Sequence, residues 1–308
     1  MKPYYYSLNE YLKDTFGTKL YKLSLSGGMT CPNRDGLIDN RGCIFCSRGG
    51  SGDFTGASLL QNHKNDMDAQ ITAAKELLSS KYHGDQYIAY FQSFTNTYAD
   101  VNYLRNIFLP VIQRPDIRIL SIATRPDCLG PEIIALLDEL NQIKPVWIEL
   151  GLQTIHEESA RYIRRGYELS VYDQAVRDLA SIGIRPIVHM ILGLPGETRQ
   201  MMLETADYIG HSNAAGIKLQ LLHVLKDTDL ADDYIAGGFQ AMELDDYATC
   251  LGEIIELLPP DMVIHRLTGD GPKRLLIAPQ WSADKKRVMN TINRYFKENN
   301  IYQGRKYQ

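Results

Sequence analysis

Cys31, eleven residues, Cys43, two residues, Cys46: these are the side chains whose type and spacing most directly imply chemistry in this sequence. They lie in SLSGGMTCPNRDGLIDNRGCIFCSRGGSGDF, residues 24–54, a stretch of Gly, Asp, Asn and Arg that reads as a loop with exposed backbone donors and few apolar anchors. A bound metal centre is the economical source of order for such a loop. Three thiols can hold zinc, hold an iron–sulfur cluster, or stand unligated. A structural zinc wants four protein ligands, and the nearest candidate for the fourth, His63, lies beyond a glycine-rich run at an expected helix start. On a cubane cluster, by contrast, an iron without a protein ligand is open to a substrate or cofactor.

Other candidates come from strand periodicity. In VWIELGL and its flanks, alternation sets Trp147, Glu149, Gly151 and Gln153 on one face and Val146, Ile148, Leu150 and Leu152 on the other. The apolar set should meet helices, so Glu149 and Gln153 point inward, where a lone carboxylate costs several kcal/mol unless partnered. Lys218 and Gln220 share the inward face of a later strand, with His223 at its end, and Glu149 is the candidate partner of Lys218. Glu149, Lys218 and His223 are therefore the substrate-side candidates. Arg125 either binds an anionic group or braces Asp127. Cys128 and Cys250 read as spare thiols, Cys128 lying near a strand end.

The elements that must position these residues alternate regularly. Strands are expected at 19–25, 87–94, 117–123, 146–152, 185–192 and 217–223, with helical spacing between them, beginning with a helix over 58–82. Beyond these come two acidic helical stretches, short strands at 262–265 and 275–278, and a basic helix from Ser282. Six strand-helix units imply parallel strands with right-handed crossovers, in a doubly wound sheet or a barrel. Eight units close a barrel, so six predict a partial (β/α)6 TIM-like barrel with a small C-terminal α+β extension, and function is expected at the strand C-terminal ends.

Bulk properties narrow the class. The chain has 308 residues, 44% apolar and 23% charged, with net charge −4, which is ordinary for a globular protein with a full core. No apolar run approaches a membrane span and the N-terminus MKPYYYSLNEY lacks a signal peptide, so no membrane association and a cytoplasmic location are expected. Five cysteines in this setting point to metal or redox chemistry rather than disulfides. Residues 204–261 hold twelve acids against Lys218 and Lys226, whereas residues 265–308 hold ten basic residues against three acids. Lys273, Arg274, Lys285, Lys286, Arg287 and Arg294 in this tail form a candidate RNA-binding surface; a solvated helix face is the plain alternative.

Three cysteines after the first strand, with an aromatic directly before the last in Cys43-Ile-Phe-Cys46, resemble the radical S-adenosylmethionine (SAM) superfamily over residues 20–225. The long first gap is similar to its Elp3-like branch. SGGMTCPNRDG, YFQSFTNTY, TRPDC, ELGLQT, HMILGLPGE and HRLTGDGPKRLLIAP resemble the bacterial YhcC/YtqA-type group over nearly the whole chain. The resemblance implies a barrel over residues 1–225, with a cluster loop at 26–54, and an extension over 226–308. It implies a [4Fe-4S] cluster on Cys31, Cys43 and Cys46 with SAM on the fourth iron, and an electron donor such as flavodoxin or ferredoxin. SAM would then meet Phe45 and the Gly193-Leu194 backbone at adenine, Ser93 and Thr95 at its amino group, Gln153 and His189 at ribose, and Arg165 at its carboxylate. Relatives place an acid where this chain has Ala123, and Glu149 is the expected substitute, toward the SAM amino group or a substrate cation. The implied activity is tRNA modification, in processing the carboxymethylaminomethyl side chain of the wobble uridine. A radical enzyme acting on a small metabolite, and a non-catalytic zinc or iron–sulfur nucleic-acid-binding protein, remain as alternatives.

Overall fold

Short β-branched and aromatic runs, each followed by an amphipathic helix, fold here into one parallel sheet. The computed structural model describes residues 3–50, 66–80, 82, 84–269 and 271–308. Its strands are β1 (Tyr21–Leu25), β2 (Tyr87–Phe91), β3 (Ile117–Thr124), β4 (Val146–Gln153), β5 (Ile187–Leu192), β6 (Gly216–Leu221) and, after an intervening short β7 (Val224–Leu225), β8 (Val263–Arg266). They are ordered β1-β2-β3-β4-β5-β6-β8, all neighbours parallel, as an open half-barrel. The expected partial barrel is therefore present with one more strand. Residues 262–265, assigned to the extension, instead supply β8 beside β6, so the sheet draws on both sides of the expected boundary at 225. β9 (Leu276–Ala278) pairs antiparallel with β7.

The helices that flank the sheet are α1 (Leu8–Phe16), α2 (Met67–Leu78), α3 (Val101–Gln113), α4 (Pro131–Asn141), α5 (Glu157–Tyr162), α6 (Leu169–Ser181), α7 (Arg199–His211), α8 (Asp229–Ile235), α9 (Leu244–Leu257) and α10 (Lys285–Glu298). Side chains cap several of them: Ser7 and Glu10 form a reciprocal capping box on α1, and Asp66, Asp100, Thr198 and Asp284 accept from first-turn N–H groups of α2, α3, α7 and α10. The first half of the helix expected over 58–82 lies outside the described residues, as do His63 and the 51–54 end of the cysteine loop. Among the described residues, no helix is long and apolar enough to cross a membrane.

Three apolar clusters divide the labour. Val146, Ile148, Leu150 and Leu152 join the main core between sheet and helices, as the alternation predicts. On the other face, Ile88, Ile119 and Trp147 meet Leu12 of α1 and Leu20, closing the N-terminal end of the half-barrel with hydrocarbon. A third cluster at the C-terminal ends joins Ile44 to Ile163, Ile191, Leu194, Leu222 and Leu230. Polar chemistry is thus confined between a hydrocarbon floor and the loops above.

Candidate active site

The cysteine loop returns on itself. Arg34 N–H donates to Cys31 O at 2.8 Å, and Gly42 N–H donates to Asn33 O at 2.6 Å, so residues 34–41 form a closed excursion whose ends lie together. That closure accommodates the eleven-residue gap, with Leu37 exposed at its tip. Cys46 N–H then donates to Cys43 O at 2.9 Å, while Arg34 donates to the carbonyls of Cys46 and Ser47. Ile44 contradicts the expectation of few apolar anchors: it is 6% exposed, its N–H reaches Ile163 O at 3.2 Å, and its carbonyl accepts from Leu230 at 3.1 Å. Burying one Ile side chain contributes about 2 kcal/mol, which binds the loop to elements following β4, β5 and β6.

Cys31, Cys43 and Cys46 line one cavity of about 490 Å³ at the C-terminal ends of the strands. Asn33 is buried; its amide donates to Arg164 O at 2.6 Å and approaches Cys43 Sγ at 3.4 Å. Burial and the neighbouring Cys46 push the Cys43 thiol up to about 12, whereas the Arg125 cation favours its thiolate. Arg125 is held by a two-pronged contact with Asp127, at 2.8 and 2.7 Å, which resolves its two sequence readings in favour of bracing. Burial opposes its charge but Asp127 more than compensates. Among the described residues no three His, Cys, Asp or Glu side chains draw close enough to chelate a single ion. Soft thiols spread around one opening, with N–H and cationic groups beside sulfur, match the donor set of an iron–sulfur cluster better than that of tetrahedral zinc.

Below them, the strands carry a buried polar group centred on Glu149, which is fully buried. Its Oε1 accepts from Lys22 of β1 and Ser121 of β3, each at 2.9 Å, and its Oε2 accepts from His189 of β5 at 2.8 Å and from Lys218 of β6. Lys218 also donates to Tyr90 Oη at 3.0 Å, and the Tyr90 ring faces both lysines. Desolvation raises the Glu149 pKa, but Lys218 and Lys22 reverse that and keep it well below the usual range. Burial and Lys218 lower His189 to about 4, so its imidazole is neutral and donates Nε2–H to Glu149. Burial likewise lowers Lys218, to about 7, against the pull of Glu149.

Of the expected residues, Phe45, Thr95, Glu149, Gln153, Arg165, His189, Lys218 and His223 reach the cavity with the cysteines. Gln153 does so in a left-handed backbone conformation, φ 70°, at a register shift between β4 and β5, a strain of the kind that gathers at functional sites. Its Oε1 is buried with no hydrogen-bond partner among the described residues.

The structure adds protein partners for other expected residues. Arg165 is not an open fork: Nε donates to Tyr167 O, Nη1 to Thr154 O and Nη2 to Glu157, so it secures the loop after β4. Glu149 accepts from four protein donors. Ser93 is buried away from the cavity wall. Leu194 is packed in the same apolar cluster as Ile44, and Gly193, at φ 83°, faces Met242. Cys128 donates toward Asp127 and does not line the cavity. Sequence reasoning missed Lys22, Arg34, Tyr90 and Arg266; the inward alternation of Lys22 with Ser24 and of Ile88 with Tyr90 was the available signal.

The basic residues occupy two places. Lys286, Arg287 and Arg294 line a shallow cleft on α10, and Lys285 is exposed beside them. Lys273 and Arg274 are exposed in the turn that begins at Gly269, itself on the cavity wall.

A family model described as the radical SAM superfamily matches residues 40–209, and one described as the radical SAM C-terminal domain matches residues 214–298. YtqA of Bacillus subtilis is 43% identical over 304 residues, covering 99% of this chain and 93% of that protein. A tRNA uridine(34) acetyltransferase of Methanocaldococcus jannaschii is 22% identical over 165 residues, covering 51% of this chain and 29% of that protein. Among solved structures, the archaeal Elp3 of Methanocaldococcus infernus superimposes with a TM-score of 0.69 at 17% identity, over 92% of this chain and 64% of that one.

Proposed function

This chain belongs to the radical SAM superfamily, whose members use a [4Fe-4S] cluster and S-adenosylmethionine, and we propose that it is a tRNA-modifying enzyme of that kind, acting on the side chain of the wobble uridine. The observation that carries the reading is the convergence of Cys31, Cys43 and Cys46 on the cavity that also receives Gln153 and His189. When bound there, the two cofactors supply a 5′-deoxyadenosyl radical that abstracts a substrate hydrogen. The protein's share is to bind, orient and exclude water.

In this reading the three thiolates hold the cluster, with Asn33 and Arg125 stabilising the charge on Cys43. Phe45 offers an apolar platform to adenine. The unpartnered Oε1 of Gln153 accepts a ribose hydroxyl, which removes the cost of its burial. His189, fixed by its Nε2–H bond to Glu149, presents Nδ1 as an acceptor. Glu149 holds Lys218 and His189 at set positions on the wall, while Lys218 and His223 face the substrate.

Support for an RNA substrate comes from Lys273 and Arg274 in the turn that starts on the cavity wall and from the separate basic cleft on α10. Clustered cations contact phosphates without reading sequence, so their role is to dock a large polyanion. The partial likeness to a tRNA uridine(34) acetyltransferase points to the same substrate class. Anaerobic reconstitution followed by SAM and a strong reductant tests the chemistry: 5′-deoxyadenosine should be released, and an intact cluster that releases none sinks the radical reading. Nucleoside analysis of tRNA from cells lacking the protein tests the substrate. An unchanged wobble-uridine profile removes tRNA and leaves a small metabolite.

A further inference from the structure

We propose that Asn33 and Arg34, the two residues that follow Cys31-Pro32, raise the reduction potential of the cluster, Asn33 through an N–H bond to sulfur and Arg34 through its charge. The inference deepens the reading just given: it rests on Cys31, Cys43 and Cys46 holding the cluster and is independent of the substrate.

Asn33 is fully buried. Its amide donates to Arg164 O at 2.6 Å and to Cys43 Sγ at 3.4 Å. The first contact fixes which end of the amide is nitrogen, because only a donor is accommodated that close to a carbonyl oxygen. Asn33 Oδ1 is left without a hydrogen-bond partner among the described residues, so the amide bears a desolvation cost in the orientation that aims its N–H groups at Cys43.

The backbone opposite is shaped around this amide. Arg164 is left-handed, at φ 56°, a strained conformation for a residue with a Cβ. Its carbonyl lies 3.7 Å from Cys43 Sγ, where the negative end of that dipole opposes a thiolate, and the Asn33 amide bonded to it offsets the repulsion. Gly166, at φ 81°, leaves open the place where a Cβ would meet Asn33 Oδ1 at 2.8 Å. Strain on one residue and a missing side chain on another thus converge on the group that donates to sulfur.

Arg34 supplies charge. It lines the cavity with all three cysteines. Its Nη2 donates to Cys46 O at 3.0 Å and Ser47 O at 2.6 Å, and its guanidinium lies over the Phe94 ring at 5.5 Å. These partners are neutral, whereas Arg125 and Arg165 on the same wall are paired with Asp127 and Glu157. Reduction adds one electron, and so one negative charge, to the cluster. Donors to sulfur and a neighbouring cation favour that state and move the potential upward, which lets a weaker one-electron donor load the site.

The test is potentiometric. Reconstituted protein without SAM is titrated with dithionite and redox mediators, and the reduced cluster is read by electron paramagnetic resonance. Iron and acid-labile sulfide are measured for each variant, so that the potential refers to the cluster present. In Arg34→Gln the reduction equilibrium should move about tenfold toward the oxidised cluster, about 59 mV for a one-electron couple. In Asn33→Ala the same shift should be about threefold. Arg34→Lys keeps the charge and should stay within about twofold of wild type, as should Lys13→Gln on the outer surface. Unmoved potentials in Arg34→Gln and Asn33→Ala, or an equal shift in Arg34→Lys or Lys13→Gln, overturn the proposal and leave the cluster reading intact. A wild type that takes up no redox-active cluster, or a Cys43→Ala variant that takes up as much, overturns both.

Discussion

The cysteine loop and the Glu149 group are both polar regions of one cavity, yet they solve burial in opposite ways. In the loop, backbone groups pair with one another around Ile44, Asn33 donates to Arg164 O, and the three thiols line the cavity. On the strands, every strong group has a protein partner: one carboxylate, two lysines, a serine and an imidazole are locked together. Chemistry is thus carried by groups that folding does not require, and position is set by groups that it does. Changes in the first region should cost activity with little stability, and changes in the second should cost stability first.

The largest effect is expected at Cys43. Cys43→Ala should remove the cluster, measured as iron and acid-labile sulfide, and reduce 5′-deoxyadenosine to below about 1% of wild type, as loss of one of three ligands leaves no stable site. Its apo form should unfold in urea within about 1 kcal/mol of wild type, since Ile44 and Asn33 still hold the loop. A large loss of apo stability would erase the contrast.

Glu149→Gln comes next. It leaves Lys22 and Lys218 facing a neutral amide in a buried site, and breaking a buried ion pair in this way costs roughly 3–5 kcal/mol. Urea unfolding of the apo protein reads this directly. A variant as stable as wild type would show the strand group to be dispensable for folding.

His189 sharpens the comparison through pH. Its folded pKa is about 4, below the 6.5 of the free side chain. Between those values the unfolded chain takes up a proton that the folded protein refuses, so stability is full above about pH 6.5 and falls as pH drops toward 4. The contribution is at most about 3 kcal/mol. His189→Gln should flatten the stability profile across that window, and an unchanged slope would mean that the loss arises elsewhere.

Much of this arrangement was legible because strands repeat every two residues. Alternation in VWIELGL was enough to turn Glu149 inward and the four aliphatic residues outward, and six such runs implied the partial barrel. The strand at 262–265 was expected, but its place in the main sheet was hidden because it is four residues long, follows two helices and pairs with a strand far back in the chain. Ile44 was hidden by the polar composition around it. Spacing brought Arg165 to the site but gave no sign of its hydrogen bonds, which follow from how the loop after β4 folds back on Thr154 and Tyr167.

Gln153 lies where the two strategies meet, on a strand but with its acceptor unsatisfied, and carries the smallest predicted effect. A non-glycine residue at φ 70° costs about 1–2 kcal/mol relative to glycine, and the orphaned Oε1 adds a desolvation cost of similar size. Glycine recovers both but loses about 1 kcal/mol through the greater freedom of the unfolded chain, together with some packing. Gln153→Gly should therefore leave the apo protein about 1 kcal/mol more stable in urea while weakening SAM binding by about tenfold, the worth of one good hydrogen bond. A rise in stability with a fall in affinity marks strain held for a ligand. If stability and affinity fell together, Gln153 would belong with Glu149 as part of the scaffold.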